Sequence, residues 1–251
     1  SEKGFIKFEN VLSTHTHTSP SLLEAFSIGI DDTNEKLLPI DQQRRISLID
    51  ILKKTDISTE YISNQGSSGT HHQAASIIFN KAKKTFSSND RLLGNHTYKL
   101  EKPWDHTFFN KNLNEKKLNS ILPSLIVFHG YAGHGPYKNF IPKNYQNSLD
   151  NFFKKMNYAA VTGKINSLSS VEDYDKTIYY NDYSVSNALK LVKNSSKPWV
   201  FIYFADHGDA PFANRGHDSS VFIHEMARIP FIIFFNDAAI QAEPELYKKY
   251  F

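Results

Sequence analysis

Trp199-Val200-Phe201-Ile202-Tyr203-Phe204-Ala205-Asp206-His207-Gly208-Asp209 is an apolar run that ends abruptly in ionisable side chains. Large apolar residues in succession, without alternation, read as a strand covered on both faces, as in a parallel sheet flanked by helices. Two further runs have the same character, Ser124-Leu125-Ile126-Val127-Phe128 and Ile229-Pro230-Phe231-Ile232-Ile233-Phe234-Phe235. Helical spacing lies between them. Ile178, Val185, Leu189 and Val192 recur at helical spacing, and Asn194-Ser195-Ser196-Lys197-Pro198 stops that helix just before Trp199. A second helix is expected from about Arg44 to Lys54, ahead of the strand-like Thr59-Glu60-Tyr61-Ile62-Ser63, and a third near Gln73 to Lys84. Strands alternating with helices predict an α/β fold, with a central, mostly parallel sheet and helices on both faces. The stretch from Gly66 to Leu118 is polar with weak periodicity and reads as surface helices and long loops, and Lys138 to Asn151 as an irregular loop.

Composition narrows the chemistry. The chain has 251 residues, enough for one large core, with 40% hydrophobic and 22% charged residues, the balance of a globular domain. It has no cysteine, so disulfides, thiolate ligands and cysteine nucleophiles are excluded, and a metal site must use His, Asp, Glu or hydroxyl oxygen. The net charge of +3 is small, and the lysines are scattered rather than gathered into a stripe, so nothing points to nucleic acid. No apolar stretch reaches the roughly 18 residues of a membrane span, and Ser1-Glu2-Lys3-Gly4 lacks a signal-peptide pattern.

In open α/β sheets ligands bind beyond the carboxyl ends of strands, which is where Asp206 and His207 stand. Gly208 permits a turn that lets both side chains converge on one ion. The bland alternative is a surface loop with an accidental Asp-His pair. His134, in His129-Gly130-Tyr131-Ala132-Gly133-His134-Gly135-Pro136-Tyr137, also follows a strand, and its flanking glycines let backbone approach a ligand. His129, nearer the strand, reads as a packed histidine. His217 follows in the loop after Asp206, and His224 reads as a helical or interfacial histidine. At the other end of the chain, Thr14-His15-Thr16-His17-Thr18 looks extended, with Ser19-Pro20 as N-cap and first helical residue. Thr18 then sits where free N–H groups and the helix dipole favour an anion. A metal would activate its hydroxyl as a nucleophile; read alone, the segment is simple helix capping.

In chain order these segments resemble the phosphoethanolamine transferases of the alkaline phosphatase and sulfatase superfamily. The resemblance is carried by Phe8 to Ser13 with His17-Thr18-Ser19-Pro20-Ser21-Leu22, by Tyr61-Ile62-Ser63-Asn64-Gln65, by His134-Gly135-Pro136-Tyr137, by Tyr174 to Asp182, by Asp206-His207-Gly208-Asp209 and by Ile229-Pro230-Phe231. It implies a single sulfatase-like catalytic domain over residues 1–251, with Thr18 as the phosphorylated nucleophile. Thr18, Asp206 and His207 would bind one zinc. His134 and His217 would lie near the transferred phosphate or a second zinc, and Asn64 and Gln65 beside the substrate. The implied reaction moves phosphoethanolamine from phosphatidylethanolamine to lipopolysaccharide or another bacterial surface glycan, on the periplasmic face of the inner membrane. The alternatives are a phosphoglycerol transferase, phosphatase or phosphodiesterase of the same superfamily, or a non-catalytic glycan- or lipid-binding module with a degenerate metal site. The family also takes an acidic ligand from a strand ending in Gly-Glu-Ser upstream of the nucleophile, and neither Glu2 nor Glu9 fits that pattern. The first strand, a membrane segment and, on the widest reading, the last elements are therefore expected outside this chain. The spacing from Asp206 to His217 is short for the family.

Overall fold

The computed structural model describes residues 3–28, 45–65, 73–88, 104–153, 168–213, 216–217 and 220–249. β1 (Phe5–Leu12) leads into α1 (Thr18–Phe26), and β2 (Ser27–Ile28) pairs with β3 (Ile46–Ser47). α2 (Leu48–Leu52) is opened by Ser47 in a capping box with Asp50. Then come β4 (Ser58–Ser63), α3 (Gln73–Phe79), β5 (Lys84–Ser87), α4 (Asp105–Asn112), α5 (Glu115–Leu118) and β6 (Ser124–His129). α6 (Lys143–Phe153) and the long α7 (Leu168–Lys193) precede β7 (Val200–Phe204), β8 (Arg228–Phe235), α8 (Asp237–Ala242) and α9 (Pro244–Lys248).

The mixed α/β architecture is the expected one, and β4 shows why its sheet is covered twice. β4 lies between β5 and β6, parallel to both. Successive side chains on a strand point to opposite faces. Tyr61 therefore packs with Leu22, Leu23, Ile49, Ile78 and Phe79 from α1, α2 and α3. Ile62 packs on the other face with Phe108 and Phe109 of α4, Leu113 just after it, and Ala188 and Val192 of α7. Phe79 is 1% exposed and stacks on Tyr61 at 4.3 Å between ring centroids, so truncating it to Ala costs about 3–5 kcal/mol.

The strand bearing Asp206 belongs to a different sheet, ordered β1-β8-β7 and antiparallel throughout. The apolar run predicts a parallel neighbour for it; its only described neighbour is β8. The run is continuous because one face of β7 packs inward while Val200 and Ile202, 44% and 54% exposed, line an apolar groove of about 620 Å³ that separates β7 from β6. β1 and β8 are matched by aromatic pairs, Phe5 with Phe234 and Phe8 with Phe231. Their register shifts between Phe8 and Val11, where Asn10 takes φ 58°, a left-handed conformation that asparagine tolerates.

Three local expectations change. Lys138 to Asn151 is a short 3₁₀ turn (Tyr137–Phe140) followed by α6, not an irregular loop. Its period is carried by Tyr145 and Leu149, four residues apart and obscured in sequence by Asn144 and Asn147; Tyr145 packs its ring on Tyr180 and Tyr183 of α7. The helix near Gln73 ends at Phe79, and Lys84–Ser87 is a strand whose parallel pairing with Glu60–Ser63 decides its state. The helix expected from Arg44 reduces to Leu48–Leu52, Arg44 itself lying outside the described residues. Much of Gly66 to Leu118 also lies outside them. No described helix is long and apolar enough to cross a membrane.

Candidate active site

Thr18 reaches the site through the bend between β1 and α1. Ser13 holds the bend by donating its N–H to Ala227 O at 2.7 Å and its hydroxyl to His15 O at 2.6 Å. Ser21 Oγ adds a bond to His15 O at 3.0 Å. The helix begins two residues earlier than the Ser19-Pro20 signal suggests: His17 is the N-cap, with φ −134°, and Thr18 the first helical residue. His17 makes no side-chain cap bond, and the Thr18 hydroxyl turns away from the backbone toward Asp206 and His207. Simple capping therefore does not account for Thr18. Its Oγ1 lies 3.4 Å from His207 Nε2, and His207 Nε2 lies 3.7 Å from Asp206 Oδ2.

The turn after β7 exists because Gly208 has no side chain. Its N–H bonds Met226 O at 2.8 Å, and a Cβ there would meet Glu225 O at 2.1 Å and Arg228 O at 2.8 Å. The requirement is close approach to the start of β8 rather than an unusual φ. Asp206, just before, is a carboxylate under two opposed influences. Burial opposes its ionisation, but the adjacent His207, a bond from the Thr18 hydroxyl and His129 outweigh burial and hold its carboxyl below the usual range.

His217 is brought against this group by the loop that closes where Ala210 N bonds Gly216 O at 2.8 Å. Its ring centroid lies 4.4 Å from His207, 5.9 Å from His134 and 5.3 Å from His17. Burial lowers the basicity of His134, favouring its neutral form. His217 is raised instead, first by its bond to Asp209. Ligand atoms of His207, Asp209 and His217 all lie within 4.8 Å of one another.

The remaining predicted positions are structural in their contacts. Asn64 and Gln65, 2% and 9% exposed, bind the loop that carries His134. Gln65 Nε2 donates to Gly130 O at 2.8 Å, and Asn64 Nδ2 donates to Asp105 Oδ1 at 2.5 Å. Asp105 Oδ2 in turn accepts the Tyr131 and Ala132 N–H groups, each at 2.7 Å. Burial pushes the Asp105 carboxyl up despite these bonds. His129 is bonded at both ring nitrogens, to Tyr61 OH at 2.8 Å and Gln65 Nε2 at 3.0 Å, the packed histidine its position suggests. His224 is exposed on a 3₁₀ turn, outside the cluster, and Glu9 is exposed on β1. Sequence reading missed Asp105, Tyr137 and Asp209. Asp209 had a signal, its place in the same motif as Asp206; Asp105 had none.

A family model described as Sulfatase matches residues 2–249. The chain belongs to the sulfatase family. Among curated relatives, this sulfatase-family chain is 29% identical over 140 residues to the phosphoethanolamine transferase EptA of Helicobacter pylori, covering 54% of this chain and 26% of the relative. It is 24% identical over 210 residues to EptA of Escherichia coli, covering 82% of this chain and 35% of the relative. It thus spans only about a quarter to a third of these proteins. Among solved structures, the C-terminal periplasmic domain of EptC from Escherichia coli, in complex with zinc, superposes with a TM-score of 0.78 at 23% identity, over 97% of this chain and 66% of that one. That likeness establishes the fold.

The donor set fits zinc. One ionised carboxylate, imidazole nitrogens and a hydroxyl converge with no sulfur ligand, a combination suited to a borderline ion. Thr18, Asp206 and His207 would hold it.

Proposed function

We propose that this chain is the catalytic part of a zinc-dependent phosphoethanolamine transferase that works through a phosphorylated Thr18. The observation that carries the reading is the placement of the Thr18 hydroxyl, at the start of α1, against Asp206 and His207, with His134 and His217 grouped beside them. Zinc, when bound, lowers the pKa of a coordinated hydroxyl and offsets charge on phosphoryl oxygens. The protein's own residues orient the reaction. Asp206 accepts the Thr18 hydroxyl's hydrogen bond and keeps Oγ1 fixed at the N-terminus of α1, where the helix dipole favours an anion. In the first step the Thr18 Oγ–P bond forms and the bond from phosphorus to the diacylglycerol oxygen breaks; diacylglycerol leaves with a proton. In the second an acceptor oxygen bonds phosphorus and Thr18 Oγ is released and reprotonated. His134 and His217 would stand beside the transferred phosphate or a second zinc. Asn64 and Gln65 contribute by fixing the His134 loop.

Phosphatidylethanolamine is the inferred donor and a surface glycan or lipid A the inferred acceptor, at a site facing the periplasm; the relatives are named phosphoethanolamine transferases, and the EptC structure is of a periplasmic domain. The test is incubation with phosphatidylethanolamine followed by peptide mass analysis. A phosphoethanolamine adduct on Thr18, absent from Thr18→Ala, is expected. Undiminished transfer by Thr18→Ala would sink the assignment. The same assay with phosphatidylglycerol separates the ethanolamine reading from its glycerol alternative.

A further inference from the structure

Three histidines of the site share a hydrogen-bonding habit. His207 Nδ1 bonds the carbonyl of Gly208 at 2.8 Å, and His134 Nδ1 bonds the carbonyl of Gly135. A carbonyl only accepts, so in both rings Nδ1 carries the proton and Nε2 keeps its lone pair. His217 makes the corresponding bond to a carboxylate, Asp209 Oδ1, at 2.9 Å. The other oxygen, Asp209 Oδ2, accepts the Tyr137 hydroxyl at 3.0 Å. Tyr137 remains a donor at any working pH, because burial first and the Asp209 charge second push its phenol far up.

Asp209 could in principle serve as a metal ligand, since it lies among the closely spaced atoms of His207 and His217. Its bonding argues for another role. It is 8% exposed, and each of its oxygens already has a strong donor. It also joins two loops, one after β6 through Tyr137 and one after β7 through His217. We propose that Asp209 is a positioning residue, which fixes His217 in the Nδ1–H tautomer and aims Nε2 at the transferred group, with Tyr137 locking the carboxylate in register. A carboxylate behind an imidazole both orients the ring and raises its basicity, and loss of such a partner typically costs roughly 10–100-fold in metal affinity or activity. The proposal rests on the transferase reading for what His217 acts upon, but not for its tautomer.

Long-range ¹⁵N–¹H correlation of the histidine rings in the zinc-free protein reads that tautomer without any assay of activity. Wild type is expected to show His217 protonated at Nδ1. In Asp209→Asn the amide N–H₂ can turn to the ring, and the signal moves toward the Nε2–H form. Transfer by Asp209→Asn is expected to fall roughly 10–100-fold in kcat with KM for the lipid unchanged. Because Asp209 acts through His217, the double variant Asp209→Asn/His217→Ala is no slower than His217→Ala alone. A wild-type His217 protonated at Nε2 overturns the proposal, and so do additive losses in the double variant. If wild type transfers nothing yet shows the Nδ1–H signal that Asp209→Asn loses, the positioning role stands and the transferase reading fails.

Discussion

The two sheets contribute unlike things to the same site. From the antiparallel sheet β1-β8-β7 come the atoms able to bind or attack: Thr18 beyond β1, and Asp206 and His207 beyond β7. From the parallel sheet β5-β4-β6 comes a buried scaffold of Asn64, Gln65 and His129 that shapes one loop and offers one ring, His134. Chemistry at the first is exposed to loss by single atoms. At the second it is protected by redundancy, since several bonds hold each loop segment. Substitutions in the first should therefore remove function at little cost to stability, and in the second should cost stability first.

The largest effect on this contrast is Thr18→Ala. Its half-buried side chain caps nothing, so transfer should vanish while the thermal midpoint stays put; a large drop in the midpoint would erase the distinction between the sheets. Next is Asp206→Asn, which removes the ionised carboxylate beside His207; equilibrium dialysis should show loss of bound zinc, and retention of full stoichiometry would move the metal to the His207-Asp209-His217 group. Gly208→Ala crosses the contrast. It forces Cβ into the carbonyls of Glu225 and Arg228, so denaturant unfolding should register about 1–3 kcal/mol of destabilisation together with weakened zinc binding. On the parallel side, Asp105→Ala strands the N–H groups of Tyr131 and Ala132, at about 1–3 kcal/mol for each buried donor left unpaired, and zinc binding at Asp206 and His207 should survive.

The smallest and most graded effect is that of pH. His217 has a raised pKa and His134 a lowered one, so on acidification His217 protonates first and His134 last. Protons compete with metal for imidazole lone pairs, so any ion held through His217 should weaken already from just above the ordinary histidine range, around pH 6.5, and His134 should keep its neutral form below it. Zinc titrations across that range would show a single sharp step instead if both rings titrated together.

Strand ends and motif order were readable in the chain because they are local. An apolar run followed at once by Asp206-His207, and a helix opening near Thr18, are written over a few residues, although residues 14–17 bend where an extended segment was expected. His129 is packed as its place near the strand suggests, whereas His224, read as a helical or interfacial histidine, is exposed on a 3₁₀ turn. The pairing direction of β7 was not readable, because an apolar run records how much is covered and not which strand does the covering. Neither was α6, whose asparagines dilute a period that only packing on α7 completes. Gly208 was read as a flexible turn, whereas two carbonyls from the start of β8, some twenty residues on, are what exclude a side chain. The sequence by itself determined which ionisable and hydroxyl side chains stand at the strand ends and at the start of α1. Which of them are held, and in which protonation and orientation, was decided by tertiary contacts such as Asp105 with the Tyr131 loop and Asp209 with His217 and Tyr137. Hydrogen bonds between residues far apart in the chain leave no period or spacing to read.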